Sequence, residues 1–343
     1  MILPRVEVIA LGGTIACVPG VTGEGVAPGL SAEDLLAAAP GVADLARIGG
    51  RNLANVPSTE IDLAMLFALD AAIQAHEAEG VAGVVVTQGT DTIEETSFVL
   101  DLLHAGEMPV VFTGAMRNPS LPGPDGAANL HTAIACAADP AFRNQGALVA
   151  FDDVIHAAAW VQKRDTSATG AFQSPAPVGW MAEGRPVLRA PVSRRPAIAV
   201  PADAPFPFVP ILKPGLGDDP RIVPAVLDLG AAGLVLELAG GGHAAACWLD
   251  ALSLAAERVP VVFASRTRGG RVLSRTYGQR GAEIDLLRRK LRGAGDLDAL
   301  KARLLLILLL MAGTPDRFEE FCDLAWRPDR RGPTHTSAAT SRA

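Results

Sequence analysis

The residues best suited to chemistry are two threonines that follow glycine directly after apolar segments. Thr14 lies in LGGTIA (11–16), and Thr90 lies beside Asp91 in QGTDTIEE (88–95). Glycine lets the backbone turn tightly and approach a ligand, and a threonine hydroxyl is a nucleophile once a base activates it. The pair therefore predicts covalent acyl-transfer chemistry. The alternative for each threonine is a capping role at the start of a helix.

A hydroxyl nucleophile needs a base, and lysine is scarce in this sequence. The lysines are Lys163, Lys213, Lys290 and Lys301. Lys163, in the polar segment WVQKRDTSATGAF (160–172), is the one that falls in the same predicted domain as both threonines. We expect its amine to serve the hydroxyls, and the alternative is an ordinary surface lysine.

The elements that must position these residues are short, valine-rich segments alternating with segments of helical periodicity. Strands are predicted at 6–11, 83–87, 110–113, 147–151, 234–238 and 259–264, and helices at 61–78, 93–105 and 301–312. Continuous apolar strands between helices indicate a parallel sheet covered on both faces. Ligands bind beyond the carboxyl ends of such strands, where both glycine–threonine motifs lie.

The predicted fold class is α/β, with a large N-terminal parallel-sheet domain and a smaller C-terminal α/β domain. A chain of 343 residues is long for one core, and nine prolines fall between 191 and 224, where neither a long helix nor a central strand fits. We expect domains at 1–190 and 225–327, joined by a linker at 191–224 that leads into the second domain. The polar segment 328–343 is expected to be a disordered tail.

Composition excludes several classes of protein. A net charge of −7 disfavours a nucleic-acid partner, and no apolar run approaches the roughly 20 residues of a membrane span. The four cysteines are scattered without a CxxC pair, and dinucleotide and Walker motifs are absent, so no metal or organic cofactor is expected. The segment 1–10 is strand-like and does not resemble a signal peptide, which predicts a cytoplasmic protein.

Several motifs together resemble those of the bacterial-type L-asparaginases. They are LGGTIA (11–16), QGTDTIEET (88–96), TGAMR (113–117), DGAANL (125–130) and VQKRDTSATGAF (161–172), in this order and spacing. The resemblance extends to about residue 326. It implies an amidohydrolase that converts L-asparagine to L-aspartate and ammonia, built as a homotetramer from two dimers with active sites at the dimer contact. Glutamine remains an alternative substrate, because one methylene changes binding by only about 1–3 kcal/mol.

The resemblance also implies catalytic roles. Thr14 matches the primary nucleophile, and Thr90 matches a second catalytic threonine whose relay Lys163 and Asp91 complete. The implied reaction is attack of a threonine hydroxyl on the side-chain amide, loss of ammonia, and hydrolysis of the acyl-enzyme.

Substrate contacts are implied in the same way. Ser58, in NVPSTEID (55–62), matches the serine that holds the substrate α-carboxylate, and Asp91 faces the α-amino group. Thr59 stands where many members have glutamine, so its contact is less defined. Ala115 matches the residue whose backbone helps to stabilise the oxyanion.

The sequence departs from the family in its tyrosine. Members commonly carry a tyrosine on an N-terminal lid, but the segment 17–30 has none, and Tyr277 is the only tyrosine in the chain. Tyr277 lies in a C-terminal segment that reaches the neighbouring subunit's site in the family, where Glu283 matches a glutamate that contacts the substrate amine. We therefore predict that Tyr277 of the neighbouring subunit replaces the lid tyrosine; the alternative is a purely structural tyrosine. His243 matches a position near the substrate, and Gln88 replaces a common histidine.

Two other functions stay open on the sequence alone. The missing lid tyrosine motivates a weakly active or inactive member that binds a small amino-acid amide as a sensor. The second is a subunit of a transfer-RNA-dependent amidotransferase. It is disfavoured by the negative charge and by a first strand that begins within about six residues of Met1.

Overall fold

A computed structural model of the chain describes residues 2–13, 15, 17–19, 26–28, 32–37, 39–201 and 203–322. The predicted nucleophile Thr14 and the predicted tail 328–343 lie outside the described residues, as do 20–25 and 29–30 of the lid segment. No helix in the described part of the chain is long and apolar enough to cross a membrane.

The described strands and helices alternate along the chain. The strands are β1 Arg5–Ala10, β2 Cys17–Pro19, β3 Val26–Pro28, β4 Arg47–Asn52, β5 Gly83–Thr87, β6 Val110–Thr113, β7 Ala147–Phe151, β8 Val154–Ala157, β9 Gln162–Lys163, β10 Phe172–Gln173, β11 Gly179–Ala182, β12 Arg185–Leu188, β13 Ile211–Leu212, β14 Leu234–Leu238, β15 Val261–Ser265 and β16 Arg292–Gly293. The helices are α1 Ala32–Ala37, α2 Val42–Leu45, α3 Leu63–Ala78, α4 Ile93–Leu103, α5 Gly126–Ala138, α6 Ile222–Asp228, α7 Leu249–Arg258, α8 Glu283–Arg288, α9 Ala299–Met311 and α10 Phe318–Cys322.

The large sheet has the strand order β12-β11-β8-β7-β6-β5-β1-β4. Strands β4, β1, β5, β6 and β7 are parallel. Strands β1, β5, β6 and β7 bury the apolar residues predicted from the sequence, whereas the more exposed edge strand β4 was not predicted. The large N-terminal α/β domain is thus confirmed, but the sheet is mixed because β8, β11 and β12 add antiparallel pairs at one edge. Tight turns at Asp152–Asp153 and Glu183–Gly184 explain this edge, since positive φ at both central residues suits a two-residue hairpin.

The small sheet confirms the second α/β domain. Its order is β13-β14-β15-β16, and all its neighbouring strands are parallel. Strand β13 lies inside the proline-rich segment 191–224, which therefore supplies one edge of this sheet as well as a connection. The domain boundaries drawn from the sequence stay a prediction.

Helix α9 packs the two domains against each other. It contacts α4 of the large domain and β14 and β15 of the small one. Its apolar residues are buried almost all round, as expected for a helix that lies between two sheets. Asp298 caps it by accepting from the Lys301 backbone at 2.9 Å, so the helix begins two residues before the predicted start.

Candidate active site

The carboxyl ends of β1, β5 and β6 bring the predicted motifs together. These strands are neighbours, and the backbone pairing continues past their ends: Leu11 N donates to Thr87 O at 2.8 Å, and Gln88 N donates to Thr113 O at 3.2 Å. The segments after the strands therefore leave the same edge of the sheet, as the sequence predicted.

Two glycines let the first motif pack against the second. Gly12 and Gly13 have φ values of 112° and 91°, a region that other residues rarely adopt. A side chain at Gly13 would overlap the backbone of Gly89, and one at Gly12 would come within 2.6 Å of Val56 O. Only glycine fits at this contact, which sets the backbone immediately before Thr14 against the loop that carries Thr90.

Lys163 joins the residues of the second motif. Its ammonium donates to Thr90 Oγ1 at 2.8 Å and to Asp91 Oδ1 at 2.6 Å. Thr90 is buried and the Lys163 side chain is 14% exposed, whereas that of Asp91 is 67% exposed. The structure thus brings these three predicted residues together, with a buried hydroxyl at one end and a solvent-accessible carboxylate at the other.

Neither Thr90 nor Asp91 serves as a helix cap. The residues form a 3-10 turn, Thr90–Thr92, whose N-cap is Gly89 and has no side-chain capping bond. Helix α4 follows with Thr92 as its N-cap, again without a side-chain cap. The capping alternative for these side chains is therefore wrong, and their polar atoms are directed to Lys163.

Ser58 lies beside the same loop. It is buried in the 3-10 turn Ser58–Glu60, and a side chain at Gly89 would come within 2.9 Å of its Oγ. Thr59, the next residue, is exposed. Ser58 O accepts a hydrogen bond from Thr92 Oγ1 at 3.0 Å, which fixes the turn against the Thr90 loop.

Gln88 fixes the Thr90 loop against helix α4. It is fully buried; its Oε1 accepts from Thr96 Oγ1 at 2.8 Å, and its Nε2 donates to Thr92 Oγ1 at 3.3 Å and to Gly89 O at 3.2 Å. The amide therefore connects helix α4 to the loop and, through Thr92, to Ser58. The sequence shows glutamine in place of the common histidine; the four-residue spacing of Gln88, Thr92 and Thr96, from the end of β5 into α4, was the missed signal.

The loop after β6 closes another side of the site. Ala115 is fully buried, and a side chain at Gly114 would come within 2.6 Å of Gln88 O. Asn129 Nδ2 donates to Gly114 O at 3.1 Å, and Asp125 accepts from Met116 N at 3.0 Å. Motifs TGAMR and DGAANL thus hold each other, which places the Ala115 backbone next to the Thr90 loop.

Glu94, next to Lys163, is an acid whose pKa is shifted. Burial raises its pKa to about 6, although the nearby Lys301 ammonium acts in the opposite direction. Its Oε2 accepts from the backbone N–H of Lys163 at 3.2 Å. The sequence predicts a helix that includes Glu94, but no local pattern indicates this contact, which joins residues 69 positions apart.

Three other predicted residues form a separate cluster in the small domain. His243 Nε2 lies 3.1 Å from Glu283 Oε2, and the ring of Tyr277 meets that of His243 edge-on with centroids 5.2 Å apart. Glu283 is fully buried, which opposes its ionisation. The backbone N–H groups of Tyr277 and Thr276 outweigh this and hold its pKa below the usual value. Among the described residues, no hydrogen bond or ion pair joins this cluster to Ser58, Thr90, Asp91 or Lys163.

A cavity lies between the domains, and neither Thr90, Lys163 nor Asp91 lines it. Its volume is about 600 Å³, and Trp160, Gln162, Arg164, Arg268 and Asp298 are among its lining residues. A smaller cavity of about 280 Å³ adjoins it and includes Glu94. No group of three or more histidine, cysteine, aspartate or glutamate side chains suited to a metal occurs in the described residues.

Comparisons with known proteins agree over almost the whole chain. Residues 5–193 match the family model described as Asparaginase, N-terminal, and residues 209–321 match the Glutaminase/Asparaginase C-terminal domain. L-asparaginase 2 of Bacillus subtilis is 34% identical over 90% of this chain and 83% of its own length. The probable periplasmic L-asparaginase of Haemophilus influenzae is 33% identical over 90% of this chain and 89% of its own length. The crystal structure of a probable cytoplasmic L-asparaginase from Campylobacter jejuni has a TM-score of 0.83 and 29% identity, covering 94% of this chain and 100% of that one.

Proposed function

The chain belongs to the asparaginase family, and from that premise we propose that it hydrolyses the side-chain amide of L-asparagine through a threonine-linked acyl-enzyme. The products are L-aspartate and ammonia. The observation that carries the proposal is the Lys163 ammonium between the Thr90 hydroxyl and the Asp91 carboxylate.

The relay supplies proton transfer to a hydroxyl nucleophile. Before substrate reacts, the Lys163 ammonium donates to Thr90 Oγ1 and Asp91 Oδ1. It must lose a proton to Asp91 or to water before it can act as a base. The exposure of Asp91 gives water access to that end. The neutral amine then accepts the Thr90 proton, and Thr90 in turn activates the attacking nucleophile and water.

Thr14 is the proposed nucleophile. Its Oγ–C bond to the substrate forms as the amide π bond opens, and collapse of the tetrahedral intermediate breaks the C–N bond, releasing ammonia with the relayed proton. Water then cleaves the ester and restores the hydroxyl. The contact of Gly13 with Gly89 supports this role, because it sets the backbone before Thr14 beside the Thr90 loop.

The remaining site residues would orient the substrate. Ser58 is proposed to hold the substrate α-carboxylate, and Thr59 to lie at the rim of the pocket. Asp91 is proposed to face the α-amino group. The backbone at Ala115 is proposed to stabilise the oxyanion, a type of contact worth on the order of 10²–10³ in rate. The contacts of Gly89 with Ser58 and of Gly114 with the Thr90 loop support a single pocket.

We propose that a neighbouring subunit completes this pocket. Tyr277 is 44% exposed, its ring meets that of His243, and the buried Glu283 lies 3.1 Å from His243 Nε2 and accepts from the Tyr277 backbone, so Glu283 holds the two rings in a preorganised surface. Docked on a partner, Glu283 and His243 would contact the substrate amine and Tyr277 would assist Thr14. The proposed assembly is a tetramer made of two such dimers.

Mixing two defective variants tests shared sites. Thr90→Ala disables one part of the site and Glu283→Gln the other, so each homo-oligomer should be nearly inactive. Hybrids that are unfolded and refolded together should regain activity, because some sites then combine an intact Thr90 with an intact Glu283. Absence of recovery in verified hybrids would contradict a site shared between subunits.

Ammonia release from purified protein tests the activity itself. Wild-type protein should release ammonia from L-asparagine with saturable kinetics, and Thr90→Ala should not; L-glutamine run in parallel ranks the two amides. Saturable binding of L-asparagine without ammonia release would support the sensor function instead. Release only in the presence of transfer RNA and a partner protein would favour the amidotransferase subunit.

A cytoplasmic location is also proposed. The Campylobacter jejuni neighbour described as cytoplasmic supports it, whereas the Haemophilus influenzae relative is described as periplasmic. Fractionation of native cells, with markers for each compartment, separates the two locations.

A further inference from the structure

The short strand that carries Lys163 is held by side chains of helix α9 and of the segment just before it. Lys301 Nζ donates a hydrogen bond to Val161 O, and Asp298 Oδ2 accepts from Gln162 Nε2 at 3.2 Å. Lys301 and Asp298 are also paired, with 3.5 Å between Nζ and Oδ2. The small domain therefore contacts two consecutive residues that lead directly to Lys163.

The residue Lys163 is held through its own backbone as well. Its N–H donates to Glu94 Oε2 at 3.2 Å, and its carbonyl accepts from Arg268 Nη1 at 3.4 Å. Both partners belong to other elements, Glu94 to α4 of the large domain and Arg268 to the small domain. Their bonds constrain the Lys163 backbone at both its N–H and its carbonyl, while the side-chain amine contacts Thr90 and Asp91.

Lys301 is unusual because it is a fully buried cation. Its side chain is 1% exposed and lies on a helix whose remaining buried side chains are almost all apolar. A buried charge costs free energy unless it is paired and hydrogen-bonded. Here both requirements are met by Val161 O, just before the strand that bears Lys163, and by Asp298, so the ion pair lies where the small domain contacts the segment that carries the catalytic amine.

We propose that Lys301 and Asp298 of the small domain, together with Glu94 of the large domain, are positioning residues that align the catalytic amine of Lys163 with Thr90. This inference rests on the proposed amidohydrolase function. None of the three touches the reacting atoms; each acts through the backbone or the neighbouring side chain of the 161–163 segment.

Lys301→Met with a matched control tests the cation. Arg303→Met is the control, because Arg303 lies on the same helix but donates to Val209 O, away from Lys163. Both variants remove one cation and one backbone hydrogen bond. Lys301→Met should lower kcat on the order of 10²-fold with little change in KM, since small displacements of a catalytic group have effects of that size. Equal kcat in the two variants, with both folded, would overturn the proposal.

Substitutions of Glu94 test the hydrogen bond to the Lys163 backbone without changing helix α9. Glu94→Leu removes the acceptor for the Lys163 backbone, whereas Glu94→Gln retains an amide oxygen there. We expect kcat to fall in the first variant and to be largely restored in the second. The control is Glu95→Leu on the same helix, for which kcat should be unchanged. A kcat of Glu94→Leu equal to that of Glu95→Leu, or a fall in Glu94→Gln as large as that in Glu94→Leu, would contradict positioning through this hydrogen bond.

Lysine labelling tests the alignment independently of turnover. Trace acetylation, with the products quantified by peptide mass spectrometry, compares Lys163 with the exposed Lys213. The Lys163:Lys213 ratio should rise in Lys301→Met and stay at the wild-type value in Arg303→Met, because a misaligned amine loses its contacts with Thr90 and Asp91. An unchanged ratio in Lys301→Met would overturn the proposal. If wild-type protein releases no ammonia while the ratio rises, the proposed substrate is wrong and the positioning role stands.

Discussion

Replacing Lys163 by methionine removes the amine between Thr90 and Asp91 and keeps a side chain of similar length. General acid–base transfer of this kind contributes about 10²–10⁴ in rate, so kcat on L-asparagine should fall by that factor, equivalent to about 3–5 kcal/mol of transition-state stabilisation. The fold should be nearly unaffected. The Asp91 side chain is 67% exposed, and an exposed ion pair contributes only about 0–1 kcal/mol to the free energy of unfolding.

The control for that experiment is Lys163→Arg. A guanidinium keeps the positive charge and the capacity to donate to both oxygens, but it does not lose a proton in the accessible pH range. If proton transfer through the amine is essential, the arginine variant should be almost as inactive as the methionine variant in a coupled ammonia assay, with near-native thermal unfolding. Retention of most of the wild-type kcat by Lys163→Arg would refute the proton relay and leave an electrostatic role only.

Substitutions at three further positions have expected outcomes. Gln88→Leu should lower the free energy of unfolding by about 1–3 kcal/mol in urea titrations, because the buried Thr96 hydroxyl loses its 2.8 Å acceptor and keeps only the 3.4 Å contact with Ile93 O, whereas Gln88→His should keep most activity. Gly13→Ala should abolish turnover and lower the melting temperature, because its methyl group would overlap the backbone of Gly89; an active variant would contradict the close approach. Burial lowers the pKa of His156 to about 4. Between pH 6.5 and 4, the imidazole is therefore protonated in the unfolded chain but neutral in the folded chain. Stability should therefore fall by up to about 3 kcal/mol between pH 6.5 and 4, and His156→Asn should flatten that slope.

Much of the fold was predictable because continuous apolar segments bounded by glycine leave few alternatives. Strands Gly83–Thr87, Val110–Thr113, Ala147–Phe151 and Leu234–Leu238 have the predicted bounds. The antiparallel edge was missed because its hairpins turn at Asp152–Asp153 and Glu183–Gly184, and the first pair lacks the glycine that usually marks such a turn. Strand β13 was not predicted within the proline-rich segment, because an edge strand of two residues is too short to show an alternating apolar pattern.

The site was predictable only as far as local motifs reach. The sequence placed Thr90 and Asp91 at a strand end, and the scarcity of lysine singled out Lys163. The 2.8 Å and 2.6 Å contacts, however, depend on β9 reaching the sheet edge from 73 and 72 residues further along the chain. The roles of Lys301 and Asp298 depend on how one helix packs between two domains, which no local pattern encodes. A lone lysine in an otherwise leucine-rich helix was the available sign, since a buried cation requires a partner.

The most direct test of a threonine-linked mechanism is the mass of the enzyme during turnover. Protein mixed with L-asparagine, quenched with acid within a single turnover and digested, should carry one aspartyl group on the peptide that contains Thr14. The adduct should accumulate if water attack is slowed, and it should be absent from Thr14→Ala. Rapid ammonia release with no adduct, or an adduct confined to another residue, would contradict the proposed acyl-enzyme.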